Sequence, residues 1–313
     1  MNEIIGYGYL PLKEDEKRMK ECICCPRRCQ VDRALQTGYC GAAALPRVAR
    51  CALHFWEEPM FSGSRGSGTI FFSGCNLRCV FCQNAEISAH QKGELCDKVR
   101  LSELFLTLQQ EGAHNINLVT PTPHLETIRT ALIEAKTHGL HIPVLYNTGG
   151  YETVEALRSM DGLIDIYLPD LKYVTPALSD RFSGAANYFE YAAPAILEMQ
   201  RQVGTLRMDG DGISTGGLLV RHLMLPGCVD ETRRVLDFIK DSLPCGTWIS
   251  LMRQYTPSPG LTPPLDRRLT SREYMRAAEY CMQLGLVNVL LQEADAADSA
   301  FTPPFYQSLT PCS

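Results

Sequence analysis

Residues 72–84 read Phe72-Ser73-Gly74-Cys75-Asn76-Leu77-Arg78-Cys79-Val80-Phe81-Cys82-Gln83-Asn84, directly after the β-rich apolar run Thr69-Ile70-Phe71-Phe72. Cys75, Cys79 and Cys82 stand in a C-x3-C-x2-C spacing, three thiols on one short loop at a strand end. Thiolates in such a set suit a soft metal centre, and iron–sulfur clusters are held by them. In a cubane [4Fe–4S] cluster every iron needs a ligand, so three local cysteines leave one iron open to a substrate or cofactor. An open iron favours chemistry over electron storage. The competing readings are a structural zinc knuckle, in which protein ligands fill the whole coordination sphere, and a coincidental cluster of cysteines.

The rest of the chain has the composition of a globular protein. Its 313 residues suffice for one large barrel plus a small appendage. Hydrophobic residues make up 45% and charged residues 21%, and the net charge of −5 offers no electrostatic footprint for nucleic acid. No run approaches the roughly 20 apolar residues of a membrane helix, and no apolar leader is evident. The expectation is a cytoplasmic protein with neither membrane nor nucleic acid as partner. The 14 cysteines cluster, five between Cys22 and Cys40 and three between Cys75 and Cys82, which reads as metal binding rather than disulfides. Cys51, Cys96, Cys228, Cys245, Cys281 and Cys312 are scattered and read as small buried hydrophobes.

Upstream, Cys22-Ile23-Cys24-Cys25-Pro26-Arg27-Arg28-Cys29 is followed by Gly38-Tyr39-Cys40-Gly41. Cys22, Cys25, Cys29 and Cys40 give C-x2-C-x3-C-x10-C, four soft ligands for tetrahedral zinc or a fully ligated auxiliary cluster. Cys24, next to Cys25, is expected to point elsewhere. Arg27, Arg28 and Arg33 would offset thiolate charge.

Downstream, helical and extended patterns alternate. Helices are expected over 101–111 (with Ser102 as N-cap), 124–138, 152–160, 176–203, 230–242 and 271–284. Strands are expected over 116–119, 142–146, 164–168, 218–225, 247–251 and 287–291, with a polar turn over 209–217. With the strand before the cysteine loop this makes six strand–helix repeats. Such repeats imply a parallel sheet with right-handed crossovers and function on the loops after the strands. Those loops carry Thr120, then Asn147 with Gly149 and Gly150, then Asp170 and Lys172, and the fifth strand carries Arg221. Arg221, flanked by apolar residues, calls for a buried anionic partner. Asp170 and Lys172 read either as site residues or as a surface ion pair, and His124 as catalytic or merely helix-terminal. Tyr255 and Gln254 either line a cleft or cap the barrel, and His54 either faces the loop or packs.

Taken together, the CNLRC-x2-CQN loop with Phe81 before its last cysteine, the YNTGG strand end, LPDLK and RHLMLPG resemble the radical S-adenosylmethionine (SAM) superfamily. Within it they are most similar to pyruvate formate-lyase-activating enzymes. With the N-terminal cysteines and the HFWEEP, INLVTPTPH and SLMRQYTP segments, the likeness is to an uncharacterised branch of activating-enzyme-like proteins, over roughly residues 20–292. The resemblance implies a partial (β/α)6 TIM-type barrel over 63–292, an N-terminal Cys-rich metal-binding segment over 1–62 and a tail over 293–313. It implies a [4Fe–4S] cluster on Cys75, Cys79 and Cys82, and SAM held by Thr120, Asn147, Gly149, Gly150, Asp170, Lys172 and Arg221. Zinc or a second cluster would sit on Cys22, Cys25, Cys29 and Cys40.

The activity implied is reductive cleavage of SAM to a 5′-deoxyadenosyl radical that abstracts hydrogen. The electron would come from reduced flavodoxin or ferredoxin, and the target would be a glycine of a glycyl radical enzyme. Two departures stand out. Asn147 occupies the position of an aspartate, and Thr120-Pro121-Thr122-Pro123 replaces the usual Gly-Gly-Glu. Radical modification of a small molecule, another protein or RNA remains open, as does a non-catalytic iron–sulfur carrier or zinc-stabilised binding module.

Overall fold

Short β-branched and apolar runs between helical segments build one sheet. The computed structural model describes residues 22–293 and Phe305. The lead-in, Cys312 and the remainder of the tail lie outside the described residues. The strands are β1 (Arg47–His54), β2 (Ser67–Phe72), β3 (Glu94–Leu95), β4 (Ile116–Val119), β5 (Val144–Thr148) and β6 (Ile166–Pro169). They continue with β7 (Arg207–Met208), β8 (Ser214–Leu223), β9 (Trp248–Met252) and β10 (Val289–Leu291). The order is β10-β9-β8-β6-β5-β4-β2-β1-β3, with β7 added to β8. From β2 to β10 the neighbours along this path run parallel, whereas β1 is antiparallel to both β2 and β3. This is the mostly parallel α/β sheet of a partial barrel, as the six repeats imply.

The helices are α1 (Pro59–Ser62), α2 (Ala85–Ser88), α3 (Lys98–Gln110), α4 (Leu125–Thr137), α5 (Val154–Arg158), α6 (Pro176–Ser183), α7 (Tyr188–Val203), α8 (Val229–Ser242) and α9 (Ser271–Gln283). Strand residues Ile70, Leu118, Tyr167 and Val220 share one buried core with helix residues such as Phe105, Ile128, Ile196 and Leu236. Burial on both faces explains why these strands read as continuous apolar runs rather than alternating ones. Met60 and Phe61 of α1 pack instead against Leu145, Ile166, Leu168 and Leu219. His54 pairs with Ser67 at the start of β2, so the 55–66 connection turns at the end opposite the cysteine loop and α1 plugs it.

The structure differs from the sequence expectations at identifiable points. The helix expected at 101–111 starts at Lys98, capped by the Asp97 side chain on the Arg100 N–H, while Ser102 is buried inside it. The expected 176–203 helix is two, because Gly184 takes the left-handed conformation (φ 63, ψ 37) and ends α6. Part of the 209–217 turn is strand: Gly217, at φ 113, begins the pairing of β8 with β6. A Cβ there would meet the Leu206 Cα at 2.4 Å, so glycine reports a backbone crossing, not a turn. β1 falls within the stretch assigned to the Cys-rich segment, yet it is hydrogen-bonded into the sheet. Cys96 and Cys281 are buried as expected, but Cys245 is exposed. Among the described residues no helix is long and apolar enough to cross a membrane.

Candidate active site

Parallel strands bring their C-terminal ends to one side, and there the loops after β2, β4, β5 and β6 meet. They surround a cavity of about 250 Å³ lined by Cys75, Cys79, Cys82, Thr120, Asn147, Gly149, Asp170, Lys172 and Arg221, among others. Of the expected cofactor-contacting residues, Gly150 alone is absent from this lining. At φ 79 a Cβ on Gly150 would lie 2.4 Å from the Asp170 carbonyl oxygen, so this glycine lets the β5 and β6 loops pass each other. Thr120, also left-handed at φ 59, donates its N–H to the Asn147 carbonyl at 2.9 Å.

Cys75 and Cys79 sit where neutral sulfur is favoured. Burial, followed by repulsion from Cys79 and Cys82, pushes Cys75 up to about 12. Burial also raises Cys79, against the pull of Lys172. A coordinating metal deprotonates a thiol outright, which would overcome the effect of burial at Cys75 and Cys79. Local donors stand ready for the charge: the Leu77 N–H lies 3.4 Å from the Cys75 sulfur, and the hydroxyls of Ser183 and Ser88 lie 3.0 and 3.5 Å from those of Cys79 and Cys82. Among the described residues, no three His, Cys, Asp or Glu side chains are spaced to share one ion. Three thiols with N–H and hydroxyl donors beside them suit the thiolate ligands of an iron–sulfur cluster.

Opposite the thiols lies a charged network. Asp170 accepts from Arg221 Nε at 2.9 Å and from Lys172 Nζ at 2.7 Å, with all three side chains no more than 16% exposed. The Asp170–Lys172 pair is therefore buried in the cavity wall, not a surface pair. Burial works to raise the Asp170 carboxyl, but Arg221 and then Lys172 overcome it and hold the group below the usual carboxylate range. Burial opposes the charge on Arg221 too, yet Asp170, Glu58 and Glu57 hold it cationic. Arg221 Nη2 donates to Asn147 Oδ1 at 2.5 Å, and Nη1 lies 3.4 Å from Glu57 Oε2. The buried anion that Arg221 called for is thus double, Asp170 and Glu57.

Glu57 is the site residue that sequence reasoning missed. It lies before the first barrel strand, and the adjacent carboxylates of Trp56-Glu57-Glu58-Pro59 were its only signal. Burial pushes the neighbouring Glu58 carboxyl up, the nearby Arg221 charge notwithstanding. His54 and Gln254 line the cavity, whereas Tyr255 is buried with its hydroxyl on the Leu265 carbonyl. His124 stands outside this lining, and its Nε2 lies 2.9 Å from the Ser73 carbonyl oxygen. From the tail, Phe305 packs edge-on against the cavity-wall residue Phe71, ring centres 5.4 Å apart.

The N-terminal cysteines form a separate group on the back of the cysteine loop. The Cys24 sulfur lies 3.6 Å from that of Cys22, so Cys24 turns toward the group rather than away. Cys29 accepts the Tyr39 N–H at 3.3 Å, and Cys40 is buried. The segment is clamped to the barrel by Arg27, which donates to the carbonyls of Asn76 (2.9 Å) and Gly184 (2.6 Å), and by Arg33, which donates to those of Ala42, Ala43 and Pro123.

Residues 69–210, which carry the thiols and most of the polar lining, match the family model of the radical SAM superfamily. An uncharacterized protein of Methanocaldococcus jannaschii is 31% identical over 278 residues, covering 85% of this chain and 76% of that protein. The chain belongs to the radical SAM superfamily. Among solved structures, Streptococcus suis SuiB bound to precursor peptide SuiA matches with a TM-score of 0.51 at 12% identity, covering 71% of this chain. This chain spans 47% of that one, and the likeness is one of fold. A domain of a pyruvate-formate lyase-activating enzyme from Bacteroides vulgatus aligns with a TM-score of 0.41 at 15% identity, over 55% of this chain and 94% of that domain. For a radical SAM protein the family implies a [4Fe–4S] cluster and SAM. The three thiols, together with a cavity carrying two cations and two carboxylates, suit a cluster beside a zwitterionic ligand.

Proposed function

We propose that this radical SAM protein reductively cleaves SAM and, as an activating enzyme of the pyruvate formate-lyase type, abstracts hydrogen from a glycine of a glycyl radical enzyme. The observation that carries the first half is the convergence of Cys75, Cys79 and Cys82 with Asn147, Asp170, Lys172 and Arg221 on one cavity. A [4Fe–4S] cluster with SAM bound supplies one-electron cleavage of the sulfonium to methionine and a 5′-deoxyadenosyl radical. The chain's own residues do the rest. Cys75, Cys79 and Cys82 hold the cluster, and the Ser183 and Ser88 hydroxyls orient two of the sulfurs. Arg221 and Lys172 face the anionic end of the ligand, while Phe81, Leu77 and Val119 wall the site against water. Arg78, Val80 and Gln83 are exposed on the loop itself, where a reduced flavodoxin or ferredoxin would deliver the electron. The glycine target is supported by the LPDLK and RHLMLPG motifs. A zinc ion or auxiliary cluster on Cys22, Cys25, Cys29 and Cys40, with Cys24 turned toward them, would draw these thiols together on the barrel flank.

The test uses anaerobically reconstituted protein with SAM and dithionite. Wild type should form 5′-deoxyadenosine and Cys79→Ala none, whereas Cys25→Ala should retain cleavage and lose mainly stability or electron delivery. Equal product from wild type and Cys79→Ala would overturn the cluster assignment. Adding pyruvate formate-lyase and reading the glycyl radical by electron paramagnetic resonance tests the target. Product without that radical would remove the activating reading and leave SAM cleavage standing.

A further inference from the structure

The cavity holds two fixed carboxylates, and they differ in what they have left to give. Both oxygens of Asp170 carry short charge-assisted bonds, one from Arg221 Nε and one from Lys172 Nζ, at 2.9 and 2.7 Å. Glu57 is differently placed. Its Oε1 accepts from Asn117 Nδ2 at 3.0 Å and, at 3.4 Å, from Asn147 Nδ2. Among the described residues, its Oε2 is held only by the 3.4 Å approach of Arg221 Nη1, so a strong acceptor position remains open toward the cavity that Glu57 lines. A carboxylate oxygen can take more than one donor, and a buried one gains most from donors it has not yet found.

Glu57 is also rigid. Its N–H donates to Ser62 Oγ at 3.0 Å, and Ser62 belongs to the buried turn α1 that plugs the barrel. Its side chain is 11% exposed, pinned by two asparagines and one arginine. Such an acceptor is preorganised for a ligand that brings neutral donors, because Arg221 and Lys172 already balance Glu57 and Asp170 in charge. Within SAM, the neutral donors are the ribose hydroxyls and the adenine amino group, and only the hydroxyls form a vicinal pair. A carboxylate that accepts a vicinal diol is worth more than an amide in the same place, since hydrogen bonds to an ionised acceptor are the stronger ones.

We propose that Glu57, reaching in from the connection before the first barrel strand, is the ribose-binding residue of this site, accepting the cis-diol of the nucleoside. The assignment rests on the SAM reading above. In this arrangement the acceptor for the sugar comes from the connection before the first barrel strand, with Asn147 as its donor neighbour.

The experiment measures equilibrium binding to anaerobically reconstituted protein, with SAM first and then 5′-deoxyadenosine, 2′,5′-dideoxyadenosine and 3′,5′-dideoxyadenosine. No binding of SAM to wild type would remove the SAM reading itself. Given SAM binding, wild type should prefer 5′-deoxyadenosine over at least one dideoxy nucleoside by roughly tenfold. Glu57→Gln should weaken 5′-deoxyadenosine by a similar factor and erase that preference. Glu57→Gln/Asn147→Asp, which returns a carboxylate beside the same spot, should restore it. A wild type indifferent to both hydroxyls, or a Glu57→Gln variant that weakens all three nucleosides equally, would overturn the proposal. The second outcome would make Glu57 a positioning residue for Arg221.

Discussion

Glu152 shows how burial sets a protonation state beside the site. Its side chain is fully buried, and its Oε1 takes hydroxyl donors from Thr122 (2.5 Å), Thr148 (2.5 Å) and Tyr146 (3.3 Å). Oε2 has no partner. Burial pushes the carboxyl up to about 7, outweighing the three hydroxyl donors. The folded state therefore binds a proton that the unfolded chain releases near 4.5. The stabilisation is complete below that value, falls as pH rises through 7 and is gone above it. His124, which burial lowers to about 3, acts in the opposite direction at lower pH, so only a difference between variants isolates Glu152. Denaturation of wild type and Glu152→Gln at pH 5 and pH 8 should show wild type losing about 2 kcal/mol relative to the variant. A constant difference between the two would mean that Glu152 keeps an ordinary carboxyl. Its position ties the loop after β4 to the end of β5, so the Thr-Pro sequence that replaces Gly-Gly-Glu is still anchored.

At the scale of elements, the break between α6 and α7 does more than interrupt a helix. The carbonyls at the end of α6 accept from the cysteine loop, Phe182 from the Val80 N–H at 2.9 Å and Ser183 from the Arg78 N–H at 3.0 Å. These are the carbonyls a continuing helix would have consumed. Gly184 makes the stop possible, and a Cβ there would approach the Tyr39 hydroxyl to 3.0 Å. Gly184→Ala should cost about 1–2 kcal/mol, read as a lower denaturation midpoint at unchanged slope, because a non-glycine residue pays that to stay left-handed. It should also lower the iron retained after reconstitution. Unchanged stability with full iron loading would mean that the helix end does not position the loop.

The sequence pattern over 176–203 concealed this stop, since its helical periodicity persists on both sides of Gly184 and one glycine inside a helical pattern is tolerated. By contrast, residues 116–119 are legible to the residue, because a fully buried parallel strand has no competing reading between two helices. The antiparallel β1 escaped notice because its half-buried pattern has no strict alternation. The thiols and the Asn147, Asp170 and Arg221 positions were legible because each follows or ends a strand in a chain of βα repeats. Glu57 was not, since its place under the barrel depends on a plug whose packing partners, Leu145, Ile166, Leu168 and Leu219, come from three later strands.

At the scale of the molecule, the N-terminal segment and the barrel act as one unit around the cysteine loop. Arg27 reaches from the segment to the loop carbonyl of Asn76 and the turn carbonyl of Gly184, stacked 3.9 Å from the Tyr39 ring centre and 5.2 Å from that of Tyr151. Arg78 returns the contact from the loop, donating to the Tyr39 carbonyl at 2.6 Å. Gly74, one residue before Cys75, lies so close that a Cβ would meet the Cys40 carbonyl oxygen at 2.8 Å. The N-terminal cysteines are thereby packed directly against the loop that carries the other three. Arg27→Ala removes two charge-assisted bonds and two ring contacts at once, and should cost about 2–4 kcal/mol of docking. Global unfolding need not change by that amount, because a segment can detach while the barrel stays folded. Amide hydrogen exchange separates the two cases. Residues 22–41 and 74–84 should exchange faster together in Arg27→Ala, while α9, on the far side of the sheet order, keeps its protection. Faster exchange in 22–41 alone would show that the cysteine loop holds its shape without the segment, and the N-terminal cysteines would then have no structural hold on the other three.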